Sequence, residues 1–275
     1  MPIDPTKAIG AELPTRELSW TSTDVLLYHL TLGAHADELH YVYERGLRVL
    51  PTFAVVTGTL RETGAPSLDM PGVDVDLVNA LHGWQELVVH QPLPAQAATQ
   101  ERSRVVDIHD KGNAAVVVVE SATEFFTARK GIFLRGEGGF GGDRGASDRV
   151  PVPDRRPDAV LLSPTSPSQA AWYRLCGDRN PLHIDPGFAA RAGFPRPIMH
   201  GLCTYGIVAK AVVDALLDAD PGRVAGYDAR FAGVVYPGET LRTRVWREPD
   251  RLVLATTVVE RDDAPALSDT VLTVH

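Results

Sequence analysis

Cysteine is nearly absent from this chain: Cys176 and Cys203 are the only two among 275 residues. Neither sits in a metal or redox spacing, and two thiols cannot build a disulfide framework, which fits a reducing compartment. Neither has a motif that would make it a nucleophile. Long apolar runs are missing too. The longest, such as Ala114 to Val119, have strand length and are too short for a bilayer, so no membrane partner is expected. Met1 to Gly10 lacks a basic start followed by an apolar stretch, and Val271 to His275 is not a Ser-Lys-Leu ending. The expected location is therefore cytoplasmic. Excess positive charge is also lacking. A formal net charge of -8 argues against nucleic acid as a partner.

What remains is the composition of an ordinary globular protein, 44% hydrophobic and 23% charged, which suffices for a sizeable core. Near the middle, Gly136-Glu-Gly-Gly-Phe-Gly-Gly142 leads into a charged, proline-rich run from Asp143 to Pro157. Such backbone reads as a connection, dividing the chain into residues 1–135, a connector at 136–158, and residues 159–275. It is not a phosphate loop, because no Gly-Lys-Ser/Thr follows.

The two portions echo one another. Tyr28-His-Leu30, Gly33 and Leu39-His-Tyr41 in the first match Tyr173-Arg-Leu175, Gly177 and Leu182-His-Ile184 in the second. Gly83-Trp84 matches Gly226-Tyr227, and each portion closes on β-branched strands, Ala114–Glu120 and Leu252–Val259. The pattern predicts a duplication, each copy holding a helical turn, one longer helix and several antiparallel strands. In the second copy the longer helix is expected from about Gly201 to Asp218, ended by Pro221-Gly222. It is apolar nearly all round, with Lys210, Asp214 and Asp218 on one stripe. A curved antiparallel sheet wrapped around it would bury the rest and leave that stripe wet.

Chemistry concentrates in Gly177-Asp178-Arg-Asn180-Pro-Leu-His183-Ile-Asp185-Pro, continuing to Pro197-Ile-Met-His200-Gly201. Asp178 and His183 lie across a turn fixed by Pro181, so both can face one pocket and hold one water. Their ordinary pKa values suit proton exchange near neutrality. Gly201 opens the buried helix, where its N–H is unpaired and backed by the helix dipole, a ready donor to an oxyanion. Bland readings compete with these. Asp185 serves as a cap for the helix that follows, His200 orients the turn, and Lys111 sits in a hairpin turn. His183-x-Asp185 resembles a two-ligand metal fragment, but no further Cys/His cluster completes it, so no metal is expected.

Gly-Asp-x-Asn-Pro-Leu-His-x-Asp-Pro followed by Pro-Ile-x-His-Gly-Leu resembles the hydratase 2 signature of the MaoC-like hot-dog superfamily. Arg48–Val56, Leu81-His-Gly83, Asp110-Lys-Gly112, Gly138–Gly142, Ala229-Arg-Phe231 and Tyr236-Pro-Gly238 extend the resemblance over nearly the whole chain. It implies an α+β double hot-dog fold, two repeats each with a curved antiparallel sheet wrapped around a central helix. It also implies reversible hydration of trans-2-enoyl-CoA to (3R)-3-hydroxyacyl-CoA, with acyl-CoA as substrate and no cofactor. Carried over by motif, Asp178 and His183 are the catalytic pair, Asn180 supports them and Gly201 donates to the thioester oxygen. His82, Gly83, Lys111, Arg179, Pro181, Leu182 and Phe231 take substrate-binding positions. The first repeat has Ala34 where the second has Asp178, implying one active site per chain and a first half free to hold the acyl tail. A homodimer is left open. Two rival readings remain: a dehydratase acting on carrier-protein thioesters in fatty-acid or polyketide assembly, and a non-catalytic acyl-CoA-binding subunit.

Overall fold

A computed structural model describes residues 3–146 and 149–275; Met1, Pro2, and the connector residues Ser147 and Asp148 lie outside the described residues. Ten strands form one antiparallel sheet: β1 (Arg16–Trp20), β2 (Ala80–Val89), β3 (Ala97–Asp110), β4 (Ala114–Ala122), β5 (Phe126–Arg135), β6 (Ala159–Pro164), β7 (Val224–Phe231), β8 (Thr240–Arg247), β9 (Arg251–Val258) and β10 (Ala264–Val274). Their spatial order is β1-β3-β4-β5-β2-β7-β10-β9-β8-β6. Read outward from the centre, each half runs second, fifth, fourth, third, first. The two copies join where β2 pairs with β7, from Trp84–Arg230 to Val88–Gly226. This continuous pairing leaves only β1 and β6 as sheet edges, fewer than two separate sheets would expose.

The described residues include six α-helices: α1 (Pro5–Ala8), α2 (Ser22–Thr31), α3 (Leu39–Val42), α4 (Gln169–Tyr173), α5 (Pro186–Arg191) and α6 (Gly201–Leu216). None is long and apolar enough to cross a membrane. The main core gathers Val208, Val212 and Val213 of α6 with sheet residues of both halves, among them Leu87, Phe126, Leu254 and Leu272. Tyr205 stacks on Tyr227 at 4.1 Å, and its hydroxyl donates to the Tyr227 carbonyl at 2.6 Å, tying α6 to the central strands. A side chain at Gly206 would come within 2.8 Å of Leu32, so glycine lets α2 approach α6 closely.

Three expectations need correction. The helix α6 ends at Leu216 rather than Asp218, because Asp218 (φ 56°) and Ala219 (φ 50°) turn left-handed and Ala219 N–H donates back to Val213 C=O. Pro221–Arg223 is a separate 3-10 turn capped by Asp220. The polar stripe is wet only at its Asp218 end: Lys210 is 7% exposed and bridges Glu38 at 2.6 Å and Asp214 at 2.8 Å, while Tyr41 donates to Asp214. The polar stripe therefore faces the first half. Finally, the first half has no long helix at the position matching α6. Pro51–Val56 forms only a 3-10 helix. β-Branched Val55, Val56 and Thr57 precede Gly58, all weak helix formers. The Thr57 and Thr59 hydroxyls also donate to the carbonyls of Ala54 and Val56, and such local bonds compete with helix propagation.

Candidate active site

The shortened helix leaves room. A cavity of about 570 Å³ lies beside Ala54–Val56 and Gly58-Thr59, with β2 and β5 as another wall and Tyr173, Asp178 and Asn180 at one end. That end is built by local backbone chemistry. Gly177 takes φ +103°, and a side chain there would overlap the Thr59 backbone, so only glycine permits the turn into Asp178. Asp178 Oδ1 accepts from Asn180 N–H at 3.1 Å, and Asn180 Oδ1 accepts from Leu182 N–H at 3.0 Å. Pro181 then opens the single 3-10 turn that ends at His183. Two consecutive side-chain caps thus hold the Asp-x-Asn-Pro-x-His segment in one shape.

His183 is buried, and its Nδ1–H donates to the Ile198 carbonyl at 2.9 Å. That bond assigns the proton of the neutral ring to Nδ1 and leaves the lone pair on Nε2. Burial pushes the imidazole pKa below its ordinary value, while Asp178 pulls it the other way. His200 lies against His183, ring centroids 3.8 Å apart, and donates from Nε2 to the Asp178 carbonyl at 3.3 Å. Burial and the neighbouring His183 together hold His200 well below the ordinary histidine value. One polar atom each from Asp178, His183 and His200 lie within 4.8 Å of one another. Polar atoms that close can share one water, bonded to each at about 2.8 Å.

Gly201 opens α6, and among the described residues its N–H has no acceptor. A side chain on Gly201 would come within 3.0 Å of the Phe231 ring, against which His82 packs edge-on at 4.9 Å. His82 faces the cavity with Nε2 buried and unpartnered, and burial, then the nearby Lys130, lowers its pKa to about 3. It is a neutral polar group at working pH. Gly83 lies in the bulge where the β2–β5 register shifts between His82 and Trp84, and the Gly131 carbonyl would stand 3.1 Å from any side chain there. The structure therefore gathers His82, Gly83, Asp178, Asn180, His183, Gly201 and Phe231.

Other expected positions fall outside this group. Pro181 starts the turn, and Leu182 is buried with Ala189, Ala192 and Ile198, off the cavity wall. Arg179 donates to the Glu62 carbonyl at 3.3 Å. Lys111 occupies the β3–β4 hairpin, donating to the Arg144 carbonyl, with Arg144 and Arg230 as charged neighbours. The glycine-rich stretch is more than a connection: Gly139 and Gly141 N–H groups, with Gly112, converge on the Asp110 carboxylate. Those donors lower the Asp110 pKa to about 2 and fold the loop onto the Lys111 turn.

Sequence reasoning missed Gln85, Lys130 and Tyr173 on the cavity wall. A signal existed for Lys130. Phe126, Ala128, Lys130 and Ile132 alternate along β5 and all reach the cavity, so one charged residue interrupts an inward apolar row.

Two family models match this chain: the MFE-2 hydratase 2 N-terminal domain over residues 18–136 and the MaoC like domain over residues 148–265. The chain is 51% identical over 279 residues to enoyl-CoA hydratase ChsH3 of Mycobacterium tuberculosis, covering 98% of each chain. It is 41% identical to 3-hydroxyacyl-thioester dehydratase Y of the same organism, over 97% of this chain and 95% of that one. A crystal structure of a MaoC-like dehydratase from Phytophthora capsici superposes with TM-score 0.88 at 27% identity, covering 99% and 98% of the two chains. With its mirrored ten-strand sheet and the Asp178–His183 turn beside α6, the chain belongs to the MaoC-like hydratase 2 family of hydro-lyases, with a double hot-dog fold.

Proposed function

We propose that this enzyme adds water reversibly to trans-2-enoyl-CoA, giving (3R)-3-hydroxyacyl-CoA, with Asp178 and His183 as the proton-transfer pair. The carrying observation is that His183 keeps Nε2 unprotonated in its neutral form, while a nitrogen of its ring lies within 4.8 Å of an Asp178 carboxylate oxygen, close enough to share a water. Water held there loses a proton to the pair as its oxygen bonds to C3. The C2=C3 π electrons move toward the thioester carbonyl, whose oxygen the Gly201 N–H stabilises. The pair then returns a proton to C2, the enolate collapses, and both residues end as they began. The reading requires neither a metal nor a redox cofactor. Asn180 holds the turn in shape, and the first half receives the acyl tail in the cavity left by its short helix.

Face selectivity follows from water and oxyanion donor being fixed on opposite parts of the substrate, so one face of C3 meets the water. Crotonyl-CoA hydration with chiral analysis of the product tests the reading: (3R) product is expected, and dominant (3S) product overturns the stereochemical assignment. A second reading runs the same chemistry in reverse, as a dehydratase on carrier-protein thioesters. The similarity to a 3-hydroxyacyl-thioester dehydratase favours it. Rates on matched CoA and carrier-protein thioesters separate the two.

A further inference from the structure

The cavity beyond His82 is not simply a hydrocarbon sleeve. Lys130 lies on β5, opposite Gln85 of β2 and two residues from Ile132, the cross-strand neighbour of His82. Two residues along a strand are about 7 Å. Lys130 lines the cavity and keeps accessible surface. Among the described residues its ammonium makes no hydrogen bond or ion pair, unlike Lys210, which holds two carboxylates.

Its charged surroundings do not neutralise it. Glu101 is the nearest-acting carboxylate, but Arg16 occupies Glu101 with contacts of 3.1 and 3.2 Å and also donates to the Gly58 carbonyl. Asp178 also acts on it, more weakly than Glu101. Glu62 and Asp69 also line the cavity but are exposed to solvent. Arg129 on the same wall is committed to Glu120. Burial and Arg16 weaken Lys130 as a base, while Glu101 and Asp178 support its charge.

We infer that Lys130 is a specificity-determining residue of the tail pocket, selecting enoyl thioesters whose tails carry a carbonyl or carboxylate oxygen that accepts from its ammonium. This rests on the hydratase reading above. The physical reason is desolvation. A plain alkyl tail long enough to pass Lys130 strips water from an unpartnered ammonium and returns nothing, whereas an oxygen acceptor replaces the lost water. Gln85 on the adjoining strand is already committed, donating to the Glu86 and Arg129 carbonyls, so of these two facing residues Lys130 is the one whose donors are free for the tail.

The test compares kcat/KM for three probes, crotonyl-CoA, trans-2-octenoyl-CoA and the trans-2-octenedioyl monothioester of CoA, in the wild type, Lys130→Met and Lys130→Arg. The dioyl probe carries its second carboxylate at the tail end. Wild type is expected to prefer it over the plain chain, and Lys130→Met to lower that preference roughly tenfold to a hundredfold, the worth of one charge-assisted hydrogen bond. Lys130→Arg is expected to retain most of the preference. An unaltered preference in folded Lys130→Met overturns the inference. So does an equal fall for all three probes, which would make Lys130 a charge acting on Asp178. If wild type fails even with crotonyl-CoA, the hydratase reading itself fails, a result distinct from loss of tail discrimination.

Discussion

The two halves share a strand order yet treat the same inner positions in opposite ways. In the second half Gly177 leads into Asp178, and in the first Gly33, also at positive φ, leads into Ala34. His183 has one ring nitrogen bonded and the other free. His29, at the first-half position matching Arg174 rather than His183, has both satisfied: Nδ1–H donates to the Tyr41 carbonyl and Nε2 accepts from Leu50 N–H. The second half keeps a sixteen-residue central helix, whereas the first has a six-residue 3-10 segment there. Rigid packing around α6 positions reacting groups, and its absence in the first half makes volume. The same topology thus supplies a reaction centre in one copy and a container in the other.

The largest effect should come from the pair itself. Asp178→Asn and His183→Ala are each expected to lower single-turnover hydration by roughly 10²–10⁴ while acyl-CoA binding persists. The double variant should lose little more than either alone, since residues acting as a unit are not additive. Additive losses would break the single-centre view. Gly201→Pro removes the proposed oxyanion donor at a helix position that tolerates proline, with an expected loss of ~10²–10³ in kcat. Gly201→Ala keeps the N–H but presses on Phe231, so it separates the loss of the donor from crowding of the Phe231 ring.

Acid should distinguish the two histidines. Because His183 sits below the ordinary 6.5, the acidic limb of kcat/KM is expected to lie below pH 6.5, with activity lost as pH falls through the lowered value. A limb above 6.5 would contradict the buried, neutral base. His29, lowered to about 4 chiefly by burial, should act on stability instead. Its contribution is fully present above pH 6.5, where unfolded histidine is neutral too, and is lost as pH falls from 6.5 to about 4. The size is about 3 kcal/mol, measured as a fall in the urea-unfolding free energy, and His29→Leu should show a shallower slope. The smallest effect is expected at His40, whose counterpart in the second half is His183. His40→Ala should change turnover within about twofold, since it lies outside the proton-transfer pair. A loss matching that of His183→Ala would give the first half a catalytic role.

Much of this was legible in the residues. The Asp178–His183 segment is local, and its shape follows from Asx caps, Pro181 and a left-handed glycine, which need no distant partner. The buried helix was legible because nearly all its faces are apolar, and the β-branched runs announced strands. The direction of its polar stripe was not legible. Lys210 and Asp214 read as solvent-facing because exposure is the usual fate of charge, and Glu38 and Tyr41 are far away in sequence. Nor was the use of the glycine-rich stretch, whose order depends on Asp110 accepting three backbone N–H groups from separate segments.

The sequence alone therefore determined the elements whose causes are local: the capped catalytic turn, the start of α6, the β-branched strands and the loss of the carboxylate at Ala34. Tertiary structure decided which of them meet. Joining β2 to β7 brings the His82 bulge beside Phe231 and Gly201, and the short helix at Pro51–Val56 opens the space that Lys130 faces. These outcomes depend on packing between residues distant in the chain, where each contact is selected by the volume and charge left by all the others, and periodicity along one strand carries no record of what stands across from it.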